Sequence, residues 1–170
     1  MAGGAGTRFW PVSTKQKPKQ FLNLFGQRSL LQESFDRLKG LIEQDHILVL
    51  TNSNFVDLVK EQLPQIPQKN IICEPLCKDT APAIALAALI CGKRFGSDSV
   101  MLIFPSDHII KPVKVFQENI QKAAYHATQK EVLCTFAIKP DYPATCYGYL
   151  EIGDKIENEH YTLLSFKEKP

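Results

Sequence analysis

No stretch of this chain approaches the ~18 consecutive apolar residues of a membrane-crossing helix, and its opening lacks the basic-then-apolar layout of a secretory signal. Blocks of like charge are missing too. The formal net charge of +2 comes from 20 basic and 18 acidic residues spread along the chain. Nucleic acid and anionic membrane surfaces are therefore not expected partners, and any bound anion must be held by a few local groups. There is no internal repeat, linker or low-complexity segment. With 44% hydrophobic and 22% charged residues among 170, the composition is that of a folded domain with a sizeable core, and a cytoplasmic location is expected.

Cysteine offers no framework either. Five cysteines, Cys73, Cys77, Cys91, Cys134 and Cys146, are an odd number at irregular spacings, which suits reduced thiols. Cys73 and Cys77 have a CxxxC spacing, but no second Cys/His pair lies nearby to complete a zinc site.

What is present is alternation of strand-like and helix-like segments. Continuous apolar runs at His46 to Thr51, Asn70 to Cys73, Ser99 to Phe104 and Glu131 to Ile138 predict strands covered on both faces. Between them, Ser29 to Leu41, Asn54 to Leu63, Ala83 to Phe95 and Val115 to Thr128 predict helices. The third has a readable start: Asp79 or Thr80 can cap it, and Pro82 suits a first turn. This order predicts a doubly wound α/β fold whose ligands bind beyond the carboxyl ends of the strands. After Ile138 the pattern changes. Lys139 to Thr145 is turn-rich, and Tyr147 to Ile152 and Tyr161 to Phe166, separated by a break at Gly153-Asp154, predict an antiparallel pair at the sheet edge.

The chain opens on Ala2-Gly3-Gly4-Ala5-Gly6-Thr7-Arg8, three glycines within four positions. Glycine permits positive φ and lets backbone N–H groups approach phosphate oxygens closely. The loop is not a Walker A loop, because no Gly-Lys-Ser/Thr ends it. Nor is it a GxGxxG fingerprint, because Phe9 takes the place of the last glycine. Its residues alone fit a plain glycine-rich turn as well as an anion cradle.

The continuation, Arg8-Phe9-Trp10-Pro11-Val12-Ser13 and then Lys17-Pro18-Lys19-Gln20-Phe21, resembles the signature of sugar-nucleotide pyrophosphorylases of the mannose-1-phosphate guanylyltransferase type. Four later segments are similar to that family's motifs, in the same order. They are Glu74-Pro75-Leu76-Cys77-Lys78-Asp79-Thr80-Ala81-Pro82-Ala83-Ile84-Ala85, Phe104-Pro105-Ser106-Asp107-His108, Thr145-Cys146-Tyr147-Gly148-Tyr149-Leu150-Glu151 and Phe166-Lys167-Glu168-Lys169-Pro170. The resemblance implies a Rossmann-like nucleotidyltransferase sheet, mostly parallel, with a small antiparallel edge insertion. Its nucleotide-binding portion would cover about residues 1–138, and residues 139–170 would begin the sugar-phosphate portion.

Roles follow from the resemblance residue by residue. Ala2, Gly3, Gly4, Gly6 and Thr7 would wrap the triphosphate of GTP, with Arg8 and Lys19 as the catalytic cations. Glu74, Asp79 and Thr80 would lie near base and ribose. Asp107 would hold Mg²⁺, with His108 as a positioning residue. Gly148, Glu168 and Lys169 would hold mannose 1-phosphate. Read from residue chemistry alone, Asp79 and Thr80 are equally helix caps, Asp107 a turn residue, and Glu168 and Lys169 a solvated charged end.

The sequence departs from the family pattern at four places: Thr14 and Lys78 where arginine is usual, Asp79 where asparagine is usual, and Cys146 where glycine is usual. Lys15 or Lys17 can replace the charge missing at Thr14. An ionised Asp79 only accepts hydrogen bonds, and Cys146 would be strained if its position needs positive φ.

The resemblance also implies an apolar strand leading into the glycine loop, whereas Met1 stands one residue before it. Exposed apolar surface and a poorly anchored loop are the expected consequences. A later segment with a second metal-binding Asp and a C-terminal domain belong to the family but not to these 170 residues. Three functional readings follow: a guanylyltransferase, alone or completed by a separately encoded remainder or a homo-oligomer; a noncatalytic nucleotide-binding remnant of an interrupted gene; and a transferase acting on another sugar 1-phosphate.

Overall fold

The structure, a computed structural model, describes residues 1–4, 9–76, 78–157 and 160–169. The chain is α/β and divides into two units, Met1–Val132 and Leu133–Pro170.

In the first unit the elements run α1 (Leu30–Asp36), β1 (Val49–Thr51), α2 (Val56–Gln62), β2 (Ile71–Cys73), α3 (Thr80–Phe95) and α4 (Val113–Gln129). Ser29 starts α1 with a capping box: its hydroxyl accepts the Gln32 N–H while the Gln32 side chain accepts the Ser29 N–H. The same hydroxyl donates to Gln62 Oε1 at 2.6 Å, and Gln62 Nε2 donates to the Phe21 carbonyl at 3.0 Å. One cap therefore ties α1 to the end of α2 and to the segment following the glycine loop. At its other end α3 stops at Gly96, whose φ of 93° suits glycine. Arg94, in its last turn, bonds Asn70 Oδ1 and the Lys69 carbonyl just ahead of β2.

β1 and β2 pair in parallel, Val49 with Ile71 through Thr51 with Cys73. Around β1 lies the buried core: Phe21, Leu31, Phe35, Ile47, Phe55, Val59, Leu63, Ile66 and, at the chain's start, Ala2. Phe21 is fully buried, its ring 5.6 Å from that of Phe55.

Two predicted strands are not strands in the structure. Ser99 to Phe104 and Glu131 to Ile138 form no ladder among the described residues. A strand needs a neighbour to satisfy its backbone. Among the described residues the first run bonds Met1 at Phe104, and Leu133 and Ile138 of the second are exposed.

The second unit is an antiparallel hairpin, β3 (Tyr149–Glu157) with β4 (His160–Lys167). The predicted break at Gly153-Asp154 is instead strand: β3 continues through it with register shifts on either side. Gly153 is needed there for space, since a Cβ would collide with Thr162 Oγ1 and press on Leu164. No helix among the described residues is long and apolar enough to cross a membrane.

Candidate nucleotide-binding site

The start of the glycine loop is anchored, contrary to the sequence expectation. Ala2 is 2% exposed. Its N–H donates to the Leu50 carbonyl at 2.7 Å, and its own carbonyl accepts from Gln20 Nε2 at 2.9 Å and Thr51 Oγ1 at 3.3 Å. Gln20 Nε2 also donates to the Gly4 carbonyl at 2.9 Å. One buried amide thus holds the carbonyls on either side of Gly3. The remaining loop residues singled out in the sequence, Ala5, Gly6, Thr7 and Arg8, lie outside the described residues.

Gln20 is the residue that sequence reasoning passed over. It sits in the Pro-Lys-Gln-Phe segment, which folds as a short 3₁₀ turn over Lys19–Phe21. Pro18 precedes the turn with its fixed φ, Phe21 plugs the core, and Gln20 turns inward to the loop. Lys19 faces the other way and pairs with Asp107, Nζ to Oδ2 at 2.5 Å, lying 5.8 Å from the centre of the Phe9 ring. A buried side-chain amide between two apolar anchors was the available signal. Thr14 has a local task as well. Its N–H donates to the Lys17 carbonyl and its hydroxyl accepts the Lys17 N–H, closing the turn that carries Lys15 and Lys17.

Asp107 is brought to Lys19 by the segment before it. Met1 donates its terminal ammonium to the Phe104 carbonyl at 2.9 Å and accepts the Ser106 N–H at 3.2 Å, the pattern of a parallel ladder. His108 Nε2 stands 3.7 Å from the other Asp107 oxygen and is largely exposed.

Glu74 approaches from β2. Its N–H continues the ladder onto the Thr51 carbonyl at 2.8 Å. Its carboxylate lies against Gly3, where an added Cβ would meet Oε1 at 2.6 Å. A side chain at this loop position would make the Glu74 carboxylate shift. Burial pushes the Met1 ammonium pKa down, while Glu74 and then Asp107 act to raise it. Two carboxylates and two ammonium groups therefore share a small region beyond the carboxyl end of β1.

Asp79 does not cap α3. It occupies the N-cap position, yet its side chain makes no capping bond, and its backbone has φ 63° and ψ −165°. That region is nearly reserved for glycine and costs about 1–3 kcal/mol for other residues. Thr80 is the first residue of α3 and is exposed.

In the second unit, Gly148 lies under the Phe166 ring, with which a Cβ would collide. A Cβ there would displace the exposed Phe166 ring, and no positive φ is found at Gly148. Cys146 is exposed and is not among the described residues with positive φ, so the strain anticipated for it is absent. Tyr149, given no role beforehand, fixes the loop ahead of β3: its hydroxyl bonds both the N–H and the carbonyl of Ala144 at 2.9 Å. Glu168 and Lys169 are exposed and pair with each other at 2.9 Å, and Lys169 has φ 42°.

Comparison with known proteins finds relatives over the whole chain. The family profile described as Nucleotidyl transferase matches residues 1–170. Among curated relatives, a mannose-1-phosphate guanylyltransferase of Escherichia coli is 46% identical over 175 residues, covering 100% of this chain and 36% of that protein. One of Sinorhizobium fredii is 39% identical over 172 residues, covering 100% of this chain and 33% of that protein. A solved structure from Thermus thermophilus, described as a mannose-1-phosphate geranyltransferase, superimposes with a TM-score of 0.85 at 28% identity. It covers 100% of this chain and 49% of that one. The chain thus spans about a third of the length of the curated relatives it matches.

Proposed function

This chain belongs to the nucleotidyl transferase family, and on that premise we propose that it supplies the nucleotide-binding part of a mannose-1-phosphate guanylyltransferase. The single observation that carries the reading is the convergence of Gly3, Lys19, Glu74 and Asp107, four residues from separate parts of the sequence, on one end of the parallel pair. Residues 1–138 take the nucleotide and residues 139–170 begin the mannose 1-phosphate portion.

In this reading GTP lays its phosphates along the glycine loop, where Ala2, Gly3, Gly4, Gly6 and Thr7 present backbone N–H groups. Lys19 leaves Asp107 and turns to the phosphates, with Arg8 as the second cation. Glu74, Asp79 and Thr80 lie on the base and ribose side, at the ends of β2 and the start of α3. Gly148, Glu168 and Lys169 hold the sugar phosphate.

The donor set at Asp107 suits Mg²⁺, which favours one or two carboxylates plus phosphate oxygens and retained water. The close pairing of Asp107 with a cation is the geometry of a carboxylate placed to receive positive charge. Among the described residues no cluster of three or more His, Cys, Asp or Glu could hold a metal ion, so Asp107 would share it with the triphosphate. When bound there, Mg²⁺ supplies neutralisation of phosphate charge.

The reaction needs no protein nucleophile. A phosphate oxygen of mannose 1-phosphate attacks the α-phosphorus of GTP in line, an O–P bond forms, and the α–β bridging bond breaks. Pyrophosphate then leaves with that electron pair. The protein's contribution is alignment and fixed positive charge.

Pyrophosphate release from GTP, Mg²⁺ and mannose 1-phosphate tests this, with ATP and glucose 1-phosphate as alternative substrates. Release specific to GTP and mannose 1-phosphate is expected. Saturable GTP binding without release would leave the nucleotide-binding remnant, and preference for another pair would move the chain to another sugar-1-phosphate transferase.

A further inference from the structure

Arg37, at the C-terminal end of α1, is a buried cation that the proposed reaction does not use; it is 4% exposed. Its Nη2 donates to Ser34 Oγ at 2.9 Å, and its Nε has no hydrogen-bond partner among the described residues. Burial pushes the guanidinium pKa down, with Glu33 acting to raise it. A buried charge with an unmet donor costs stability, and an apolar side chain of similar length could fill the space without that cost. What the guanidinium provides is a contact: its central carbon stands 5.7 Å from the centre of the Phe116 ring, near the start of α4.

The contact continues to the site. The Phe116 ring lies 5.4 Å from that of Phe104, the planes inclined at 58°. These two rings bracket the stretch that carries Asp107 and His108, and so close it into a loop. Between them only Ser106 is buried, and His108, Ile109 and Lys111 are exposed, so the loop takes its position largely from its ends. Backbone bonds to Met1 fix Phe104 and Ser106 along the chain, and the ring pair fixes the Phe104 side chain. Beside Phe116, Gln117 Nε2 donates to the carbonyls of Arg37 at 2.9 Å and Lys39 at 3.1 Å, which seats α4 on the end of α1. At the opposite end of α1, Ser29 bonds Gln62, and Gln62 bonds the Phe21 carbonyl, two residues beyond Lys19. One short helix therefore connects the support of Lys19 to the support of Asp107.

We propose that Arg37 is a positioning residue: seated on Phe116, it holds the loop between Phe104 and Phe116 so that the Asp107 carboxylate meets Lys19. The planar guanidinium suits this task, because it stacks on a ring face as a compact ammonium does not. A carboxylate already held in place loses less freedom when it takes up a cation. The inference rests on the proposed function only where Mg²⁺ enters. The pairing of Asp107 with Lys19 needs no nucleotide.

The first test uses the full chain without ligand. Acetic anhydride acylates Lys19 Nζ at a rate that pairing with Asp107 holds down, and Asp107→Asn gives the unpaired rate. Lys60, which pairs with Asp57, is the internal control. Read by mass spectrometry, Arg37→Met should move the Lys19 rate most of the way to that of Asp107→Asn. Phe116→Leu should do the same, and Phe116→Tyr, which keeps the ring, should retain the natural rate. The urea midpoint of Arg37→Met should match or exceed that of the natural chain, since a buried charge is removed. In a second test, Arg37→Met should need about tenfold more Mg²⁺ for half-maximal GTP binding, with unchanged GTP affinity in EDTA. An unmoved Lys19 rate in folded Arg37→Met or Phe116→Leu would make these residues structural only and overturn the proposal. Equal Lys19 rates in the natural chain and Asp107→Asn would overturn it as well. Faster acylation in both variants, in a chain whose GTP binding ignores Mg²⁺, would support the positioning role and reject Asp107 as the metal ligand.

Discussion

Two apolar runs in the first unit, His46 to Thr51 and Ser99 to Phe104, look alike in sequence and meet different fates. The first yields β1, paired with β2 and surrounded by Phe21, Phe35, Phe55 and Val59. The second, among the described residues, bonds Met1 through Phe104 and leaves Val100 and Ile103 exposed. Hydrophobicity and β-branching are the same kind of signal in both. What separates them is a neighbour at the right distance, and that is a property of the assembled sheet rather than of the run.

The widest gap between well-packed and loosely placed apolar residues is expected at Phe21 and Leu133. Phe21→Ala removes a fully buried ring and should cost about 3–5 kcal/mol, whereas Leu133→Ala, at a residue 103% exposed, should stay within about 0.5 kcal/mol. Urea titrations of both variants measure this. Equal costs would erase the distinction between the two kinds of run.

Gln20→Leu keeps the volume and deletes the amide that holds Ala2 and Gly4. It should cost about 2 kcal/mol, since buried carbonyls lose their donor, and should weaken GTP binding because the loop loses its clamp. Unchanged GTP affinity in a folded Gln20→Leu chain would separate anchoring of the loop from its use.

Asp79→Gly acts in the opposite direction. Removing a Cβ from φ 63° should stabilise by about 1 kcal/mol, read as a higher urea midpoint with unchanged slope. A lower midpoint would mean that the Asp79 side chain repays its backbone.

The smallest effect concerns the Met1 ammonium. Burial lowers its pKa from 8.0, so between the folded value and 8.0 the unfolded chain binds more protons. Stability should therefore rise with pH through that window, by at most about 1.4 kcal/mol per pH unit, and fall as pH drops through it. Acetylating the amine should remove that slope, and urea midpoints taken across the window check it. Persistence of the slope after acetylation would assign it to another group.

Helices were the most legible elements. Ser29, Asn52 and Gly96 stand at the boundaries of α1, the turn before α2 and α3, and a local rule accounts for each. Lys19 and Asp107, singled out from local motifs, are brought together by the structure. It was not legible where a residue acts through distant backbone, as Gln20 does on Ala2 and Tyr149 on Ala144. Asp79 reads as a cap because its side chain can cap, but in the structure it makes no capping bond and its backbone is left-handed. The two predicted strands were not legible as coil because pairing partners are not encoded in a run's own composition.

The central claim, that the glycine loop and Lys19 bind a nucleoside triphosphate, is tested most directly by fluorescence of Trp10. It is the single tryptophan, is 79% exposed and lies between the loop and Lys19 in sequence. GTP titrated with Mg²⁺ should change the emission saturably, and Lys19→Ala should raise Kd at least tenfold, about 1.4 kcal/mol. A titration without saturation, or the same Kd for both chains, would contradict the claim.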